Sequence, residues 1–223
     1  MGLTDKRLQQ QLEAAVIGVN AALDLEKEPG HRLAVQSMHN LKMGNPEFAI
    51  KFYQKQFEES KGEPIDALLN IGALAYKDNT QLALDSFQRV VVLEPKNVSG
   101  WNLLGYLYFR VGQLDNAIDA YENILGFGNN EWVYGNLGLV HQFRGDLNKA
   151  VEYFEKALAI NEELGRTEGI AIQCANLGTE FQTSDLAKAI ECWERSRDLF
   201  QELGNLNQLQ VLQKCIDDVS NSS

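Results

Sequence analysis

Apolar positions recur three and four residues apart through most of this 223-residue chain, which lays them on one stripe of a 3.6-residue helix. The stripes come in pairs. Within each pair the two stripes are separated by a short polar break: Lys77-Asp78-Asn79-Thr80, Val111-Gly112-Gln113, Arg144-Gly145-Asp146 or Thr183-Ser184-Asp185. Gly, Asp and Ser at such places suit a helix end followed by a new N-cap. The pattern therefore predicts a chain of helix-turn-helix units.

The units repeat in phase. Four segments share one spacing: Leu68-x2-Ile71-Gly72-x2-Ala75, Trp101-x2-Leu104-Gly105-x2-Tyr108, Tyr134-x2-Leu137-Gly138-x2-His141 and Cys174-x2-Leu177-Gly178-x2-Phe181. Each is followed by a small residue and an aromatic one four apart: Ala83 and Phe87, Ala117 and Tyr121, Ala150 and Phe154, Ala189 and Trp193. The glycines step by 33, 33 and 40 residues and the alanines by 34, 33 and 39. A glycine inside a helix costs about 1 kcal/mol relative to alanine. Its return at one phase predicts a close helix contact, in which the glycine admits the alanine of the following helix.

These motifs resemble the tetratricopeptide repeat, with its Trp-x2-Leu-Gly-x2-Tyr, Ala-x3-Phe and terminal Pro over a period of about 34 residues. Trp101, Leu104, Gly105, Tyr108, Ala117 and Tyr121 fit it, with Pro95 in the proline slot of the preceding unit. The departures are Ala75 and His141 at the tyrosine slot, Leu68 and Cys174 at the tryptophan slot, and a proline retained in only one of the four units. The step of 40 falls on Asn161 to Gly169, echoed by Gln201 to Asn207, and reads as one helix lengthened and the next started later.

The resemblance implies an all-α, right-handed α-solenoid of antiparallel helix pairs with N- and C-terminal capping helices. Four repeats are expected over residues 65–204 and a degenerate first pair over 30–64. That pair has His31 to Lys42 as one helix and Phe48, Ala49, Phe52, Tyr53 and Phe57 on the second. Residues 1–29 hold an amphipathic helix with Leu8, Leu12, Ala15, Val19 and Ala22 on one stripe. It is read as a cap on the first repeat, with docking on a neighbouring copy as the alternative; a membrane-surface role lacks a Lys- and Arg-rich polar face. Residues 205–223 are expected to form a C-terminal capping helix and polar tail, as solenoids require.

Composition narrows the function. With 20 Lys and Arg against 31 Asp and Glu the formal charge is −11, which disfavours general nucleic-acid binding. No apolar run approaches the roughly 18 residues that a membrane span needs. Gln9, Gln10, Gln11 and Glu13 interrupt any secretory signal, so the cytoplasm is the expected location. Cys174, Cys192 and Cys215 lie 18 and 23 residues apart inside apolar stripes, where free cysteine is a small hydrophobe rather than a zinc ligand.

No catalytic constellation emerges. His31 and His39 are eight residues apart where a helical metal pair would favour four, and His141 occupies an aromatic slot with no carboxylate at a spacing that repeats to orient it. P-loop, nucleophile-elbow and His-Glu-x-x-His motifs are absent. Gly126-Phe127-Gly128 reads as a helix end. Glu152, Glu155, Glu162, Glu163, Glu191, Glu194, Asp198 and Glu202 belong to second helices and read as solvated faces. The chain is expected to be no enzyme and to hold no cofactor or metal.

Function is then expected on the concave face, which first helices line in a superhelix of helix pairs. Family position implies Asn70, Tyr106, Phe109, Arg110, Trp132, Asn136, Phe143, Asn176 and Gln182 as partner-binding residues. Aromatic and Arg side chains anchor interfaces, and Asn bonds a ligand backbone in either sense. Chaperone adaptors of the family grip a C-terminal carboxylate with Lys, Arg and Asn; the matching slots here hold Asn102, Tyr106, Asn136, Ile172 and Asn176, or one unit earlier Leu69, Ala73, Leu103, Trp132 and Asn136. The cationic clamp is missing. An adaptor or scaffold binding a peptide or helix of a partner protein is expected. A self-assembling homo-oligomeric scaffold using the N-terminal helix is the alternative, ahead of a ligand-sensing regulator.

Overall fold

A computed structural model describes residues 65–76, 78–128 and 130–220, together with Glu47, Ile50, Lys51, Gln54 and Lys55. The expected N-terminal helix, most of the degenerate first pair, His31, His39, Lys77 and the last three residues of the tail lie outside the described residues. Among those described, all regular structure is α-helical: α1 (Ile65–Ala75), α2 (Thr80–Leu93), α3 (Val98–Arg110), α4 (Leu114–Leu125), α5 (Glu131–Arg144), α6 (Leu147–Glu163), α7 (Thr167–Phe181), α8 (Leu186–Glu202) and α9 (Leu206–Ser220). The fold is an all-α array of helical-repeat pairs, with breaks at the four places the polar residues marked. It divides into two compact units, residues 1–120 and 121–223, with the boundary inside α4.

In the first unit α2 packs on both α1 and α3. Its inward stripe, Ala83 and Phe87, has no exposed surface and meets Ile71 and Leu74 of α1 and Leu104 and Leu107 of α3, with Ile50 in the same cluster. Asparagines start two of these helices by accepting from otherwise unpaired amides: Asn79 Oδ1 from Leu82 N–H at 3.1 Å and Asn97 Oδ1 from Gly100 N–H at 2.8 Å. The two scarce family markers are bonded to each other, the Trp101 indole N–H donating to the Pro95 carbonyl at 2.8 Å. Proline there ends α2, and the indole holds the turn into α3.

The second unit stacks α5, α6, α7, α8 and α9 in sequence order, each on the next. Both α6 and α8 run for 17 residues, against 14 for α2, and end in Glu-Leu-Gly with Gly165 at φ 64° and Gly204 at φ 68°. The 40-residue step is thus a lengthened second helix, as the spacing predicts. The extra turn is held by Asn161, which is buried, donates to the Ala157 carbonyl at 2.7 Å and sits against Gly169 of α7. On α9, Leu212 and Ile216 are buried, while Leu206 and Val211 remain exposed beside Asp217 and Asp218.

The seam between paired helices differs from expectation. The repeated alanines are fully buried, but at Gly72, Gly138 and Gly178 it is the ring four residues after the alanine that fills the space over the glycine. A Cβ on Gly72 would lie 2.6 Å from Phe87 Cζ, one on Gly138 2.5 Å from Phe154 Cδ1, and one on Gly178 2.5 Å from Trp193 Cδ1. An alanine methyl is too short to need the missing Cβ, whereas a ring laid over the first helix requires it.

Candidate protein-binding face

The nine residues that family position implies fall on the first helices of both units. In the first unit Asn70 of α1 and Phe109 of α3 are half-buried, Tyr106 is 9% exposed and Arg110 is exposed. Arg110 follows Tyr106 by one helical turn, and its guanidinium lies over the Tyr106 ring at 5.9 Å and the Tyr76 ring at 5.6 Å. A cation spread over two rings is pre-set for a contact that a lysine would not reproduce.

In the second unit Trp132 and Asn176 are half-buried, Asn136 is buried, and Gln182 at the end of α7 is exposed. Phe143 differs from all of them, with 77% of its surface exposed. On α5 the residues spaced three and four apart from Trp132 are Gly135, Asn136, Leu139, Gln142 and Phe143. The equivalent positions on α7 are Ile172, Ala175, Asn176, Thr179, Gln182 and Thr183. None carries a formal charge. Residues 121–223 nevertheless hold 8 basic and 16 acidic side chains, and the eight second-helix acids named above are all exposed.

The two first helices of this unit are cross-linked by polar pairs that spacing did not reveal. The Glu131 carboxylate, 8% exposed, pairs with the Arg166 guanidinium at the start of α7. Gln173 abuts Gly135, where a Cβ would lie 3.0 Å from its Nε2. Gln142 Nε2 donates to Glu180 Oε1. Glu180 is buried, and burial raises its carboxyl above the ordinary carboxylate value while the Gln142 hydrogen bond opposes the shift. One sequence signal for Glu180 existed: it stands at the slot before the aromatic position, which Leu74, Leu107 and Val140 fill in the other repeats.

A carboxylate does orient His141, though at a spacing that does not repeat in the other units. Asp146, five residues on, places Oδ2 3.2 Å from its Nδ1 and 3.4 Å from Arg144 Nε, and the buried imidazole stacks on Tyr153 with centroids 5.3 Å apart. Asp146 precedes α6 and its side chain makes no cap bond there, because it is engaged with His141 and Arg144. This arrangement braces the α5–α6 turn. The three cysteines are free thiols, and burial pushes Cys174 up to about 11, far from a reactive thiolate. Among the described residues no group of three or more His, Cys, Asp or Glu is placed to hold a metal, and no helix is long and apolar enough to cross a membrane.

Models of the tetratricopeptide repeat match residues 66–97, 86–119 and 132–164. Among curated proteins the chain is similar to the general transcriptional corepressor trfA of Dictyostelium discoideum, 28% identical over 57% of this chain and 9% of that protein. It is also similar to the uncharacterized protein ycf37 of Pyropia yezoensis, 33% identical over 36% of this chain and 47% of that one. A third relative is the BBSome complex member BBS4 of Bos taurus, 30% identical over 36% and 16%. The chain thus spans less than half the length of each. Among solved structures it resembles MamA, with a TM-score of 0.65 at 20% identity over 81% of this chain and 99% of that one. The MamA 41-end form from Desulfovibrio magneticus RS-1 gives 0.63 at 22% over 76% and 94%. At such identities the likeness concerns the fold.

Proposed function

We propose that the chain, a member of the tetratricopeptide repeat family, is a protein-interaction scaffold or adaptor that holds a peptide or helical segment of its partner against the first helices of its repeats. The nine residues Asn70, Tyr106, Phe109, Arg110, Trp132, Asn136, Phe143, Asn176 and Gln182 are the proposed contact set. Exposed and half-buried members make direct contact; Tyr106 and Asn136 act from below, Tyr106 by carrying the Arg110 guanidinium. The chain does this in the cytoplasm, without a reaction of its own. Its net charge of −11 directs it to protein rather than nucleic acid.

The observation that carries the reading is the Phe143 ring, 77% exposed on an uncharged stripe of α5. A large, mostly exposed aromatic on a stripe without formal charge is a usual anchor of an interface. The slots in which chaperone adaptors carry Lys, Arg and Asn hold Asn102, Tyr106, Asn136, Ile172 and Asn176, or one unit earlier Leu69, Ala73, Leu103, Trp132 and Asn136, with no cation in either register, so a C-terminal carboxylate is not the proposed ligand. The test is Phe143→Ala combined with Asn176→Ala, measured against a partner first isolated by affinity capture from the native cell. A loss of about tenfold or more in affinity with unchanged helicity is expected. Unchanged affinity rejects this face.

The amphipathic stripe of Leu8, Leu12, Ala15, Val19 and Ala22 favours a second reading, in which residues 1–29 of one copy dock on another and build a homo-oligomeric scaffold.

A further inference from the structure

Four equivalent residues precede the aromatic slot of the first helices, Leu74, Leu107, Val140 and Glu180, and all four are buried. A carboxylate in a position that leucine or valine fills elsewhere forfeits apolar burial and adds the cost of desolvating a charge. That cost is only half offset. Gln142 gives a donor to Oε1, but Oε2 is buried and accepts no hydrogen bond among the described residues. A buried acceptor left so bears its full desolvation penalty. Gln142 is itself half-buried, and the next residue along α5 is the exposed Phe143.

We propose that Glu180 and Phe143 form a subsite for an arginine of the partner segment, flanked there by an apolar side chain. The proposal rests on the protein-binding reading above and names the chemistry of its ligand. The guanidinium displaces the neutral Gln142 amide and presents two parallel N–H donors, so both carboxylate oxygens are satisfied, which one amide cannot do. The flanking apolar side chain packs on the Phe143 ring. Among the described residues the α5 and α7 stripes carry no formal charge, so neither stripe itself supplies a cation to Glu180. The excess of 16 acidic over 8 basic side chains in residues 121–223 steers a basic segment toward this unit.

The experiment pans a display library of random 12-residue peptides on the immobilised full chain, then measures selected peptides by fluorescence anisotropy. Peptides with arginine next to an apolar residue are expected. Changing that arginine to glutamine should weaken binding to the wild type about tenfold, a coupling of roughly 1.4 kcal/mol, but leave binding to Glu180→Gln nearly unchanged. Phe143→Ala should weaken both peptides. Glu180→Leu restores the residue type of the other repeats, so it folds and gives a second charge-free variant for the same comparison. Selected peptides without arginine, or an arginine effect of equal size in wild type and both Glu180 variants, overturn the subsite and leave the protein-binding reading standing. No peptide enriched over the bare surface overturns both.

Discussion

A ring laid over a glycine explains why the family's glycine and aromatic positions recur together. Gly138 and Phe154 are the clearest pair, since Phe154 has no exposed surface and nowhere to retreat. Gly138→Ala gains helix propensity of about 1 kcal/mol but overpacks the seam at a cost of about 1–3 kcal/mol. A net loss of about 1 kcal/mol in urea unfolding is expected, with Phe154→Leu in the same chain recovering part of it. Glu180 poses the opposite problem, a group the fold tolerates rather than needs. Burial raises its carboxyl, so folding favours the protonated form. Above its folded value the native state carries a desolvated charge and is less stable; this cost fades as pH falls through that value and is gone below the unfolded one. Glu180→Gln should therefore be more stable than wild type by about 1 kcal/mol at pH 7, and the gap in urea midpoints should close toward pH 4.

Single side chains set where several helices begin. Asn79, Asn97, Asn130 and Asp185 each accept from a backbone amide in the first turn that follows. Asn97→Ala should cost about 1 kcal/mol in urea unfolding, since it removes the cap of α3 and also the bond from its amide to Glu94 at 2.7 Å. Helix ends use other means. Gly145 at φ 87° closes α5 in the left-handed region, and Gly165 does the same for the longer α6. The longer second helices also carry surface pairs such as Arg195 with Glu162 at 2.6 Å, which are half-exposed and contribute little.

For the chain as a whole, the question is whether it meets a partner as a single copy. Light scattering of the full chain beside one lacking residues 1–29 separates the adaptor from the self-assembling scaffold. Under the adaptor reading both have the mass of one copy, about 25.0 kDa for the full chain. A larger mass that collapses when residues 1–29 are removed would establish the scaffold instead. The acidic excess makes a second difference at this scale. Association with a basic partner segment is accelerated at low salt and screened as ionic strength rises.

Periodicity alone determined the helix pairs, their breaks, the lengthened α6 and the buried alanine rows, because a fixed repeat must bury the same stripe in every unit. Tyr106 and Phe143 share one implied surface in the sequence, yet one ring is buried under Arg110 and the other is mostly exposed. Side chains from neighbouring helices make that difference. Pairings such as Gln142 with Glu180, Glu131 with Arg166 and His141 with Asp146 join residues 38, 35 and five apart, and no repeat spacing announces them. Tertiary packing decided that a ring fills the seam at Gly72, Gly138 and Gly178 and left Glu180 in an apolar slot with one oxygen unpaired among the described residues, since desolvation and close contact exist only once helices meet.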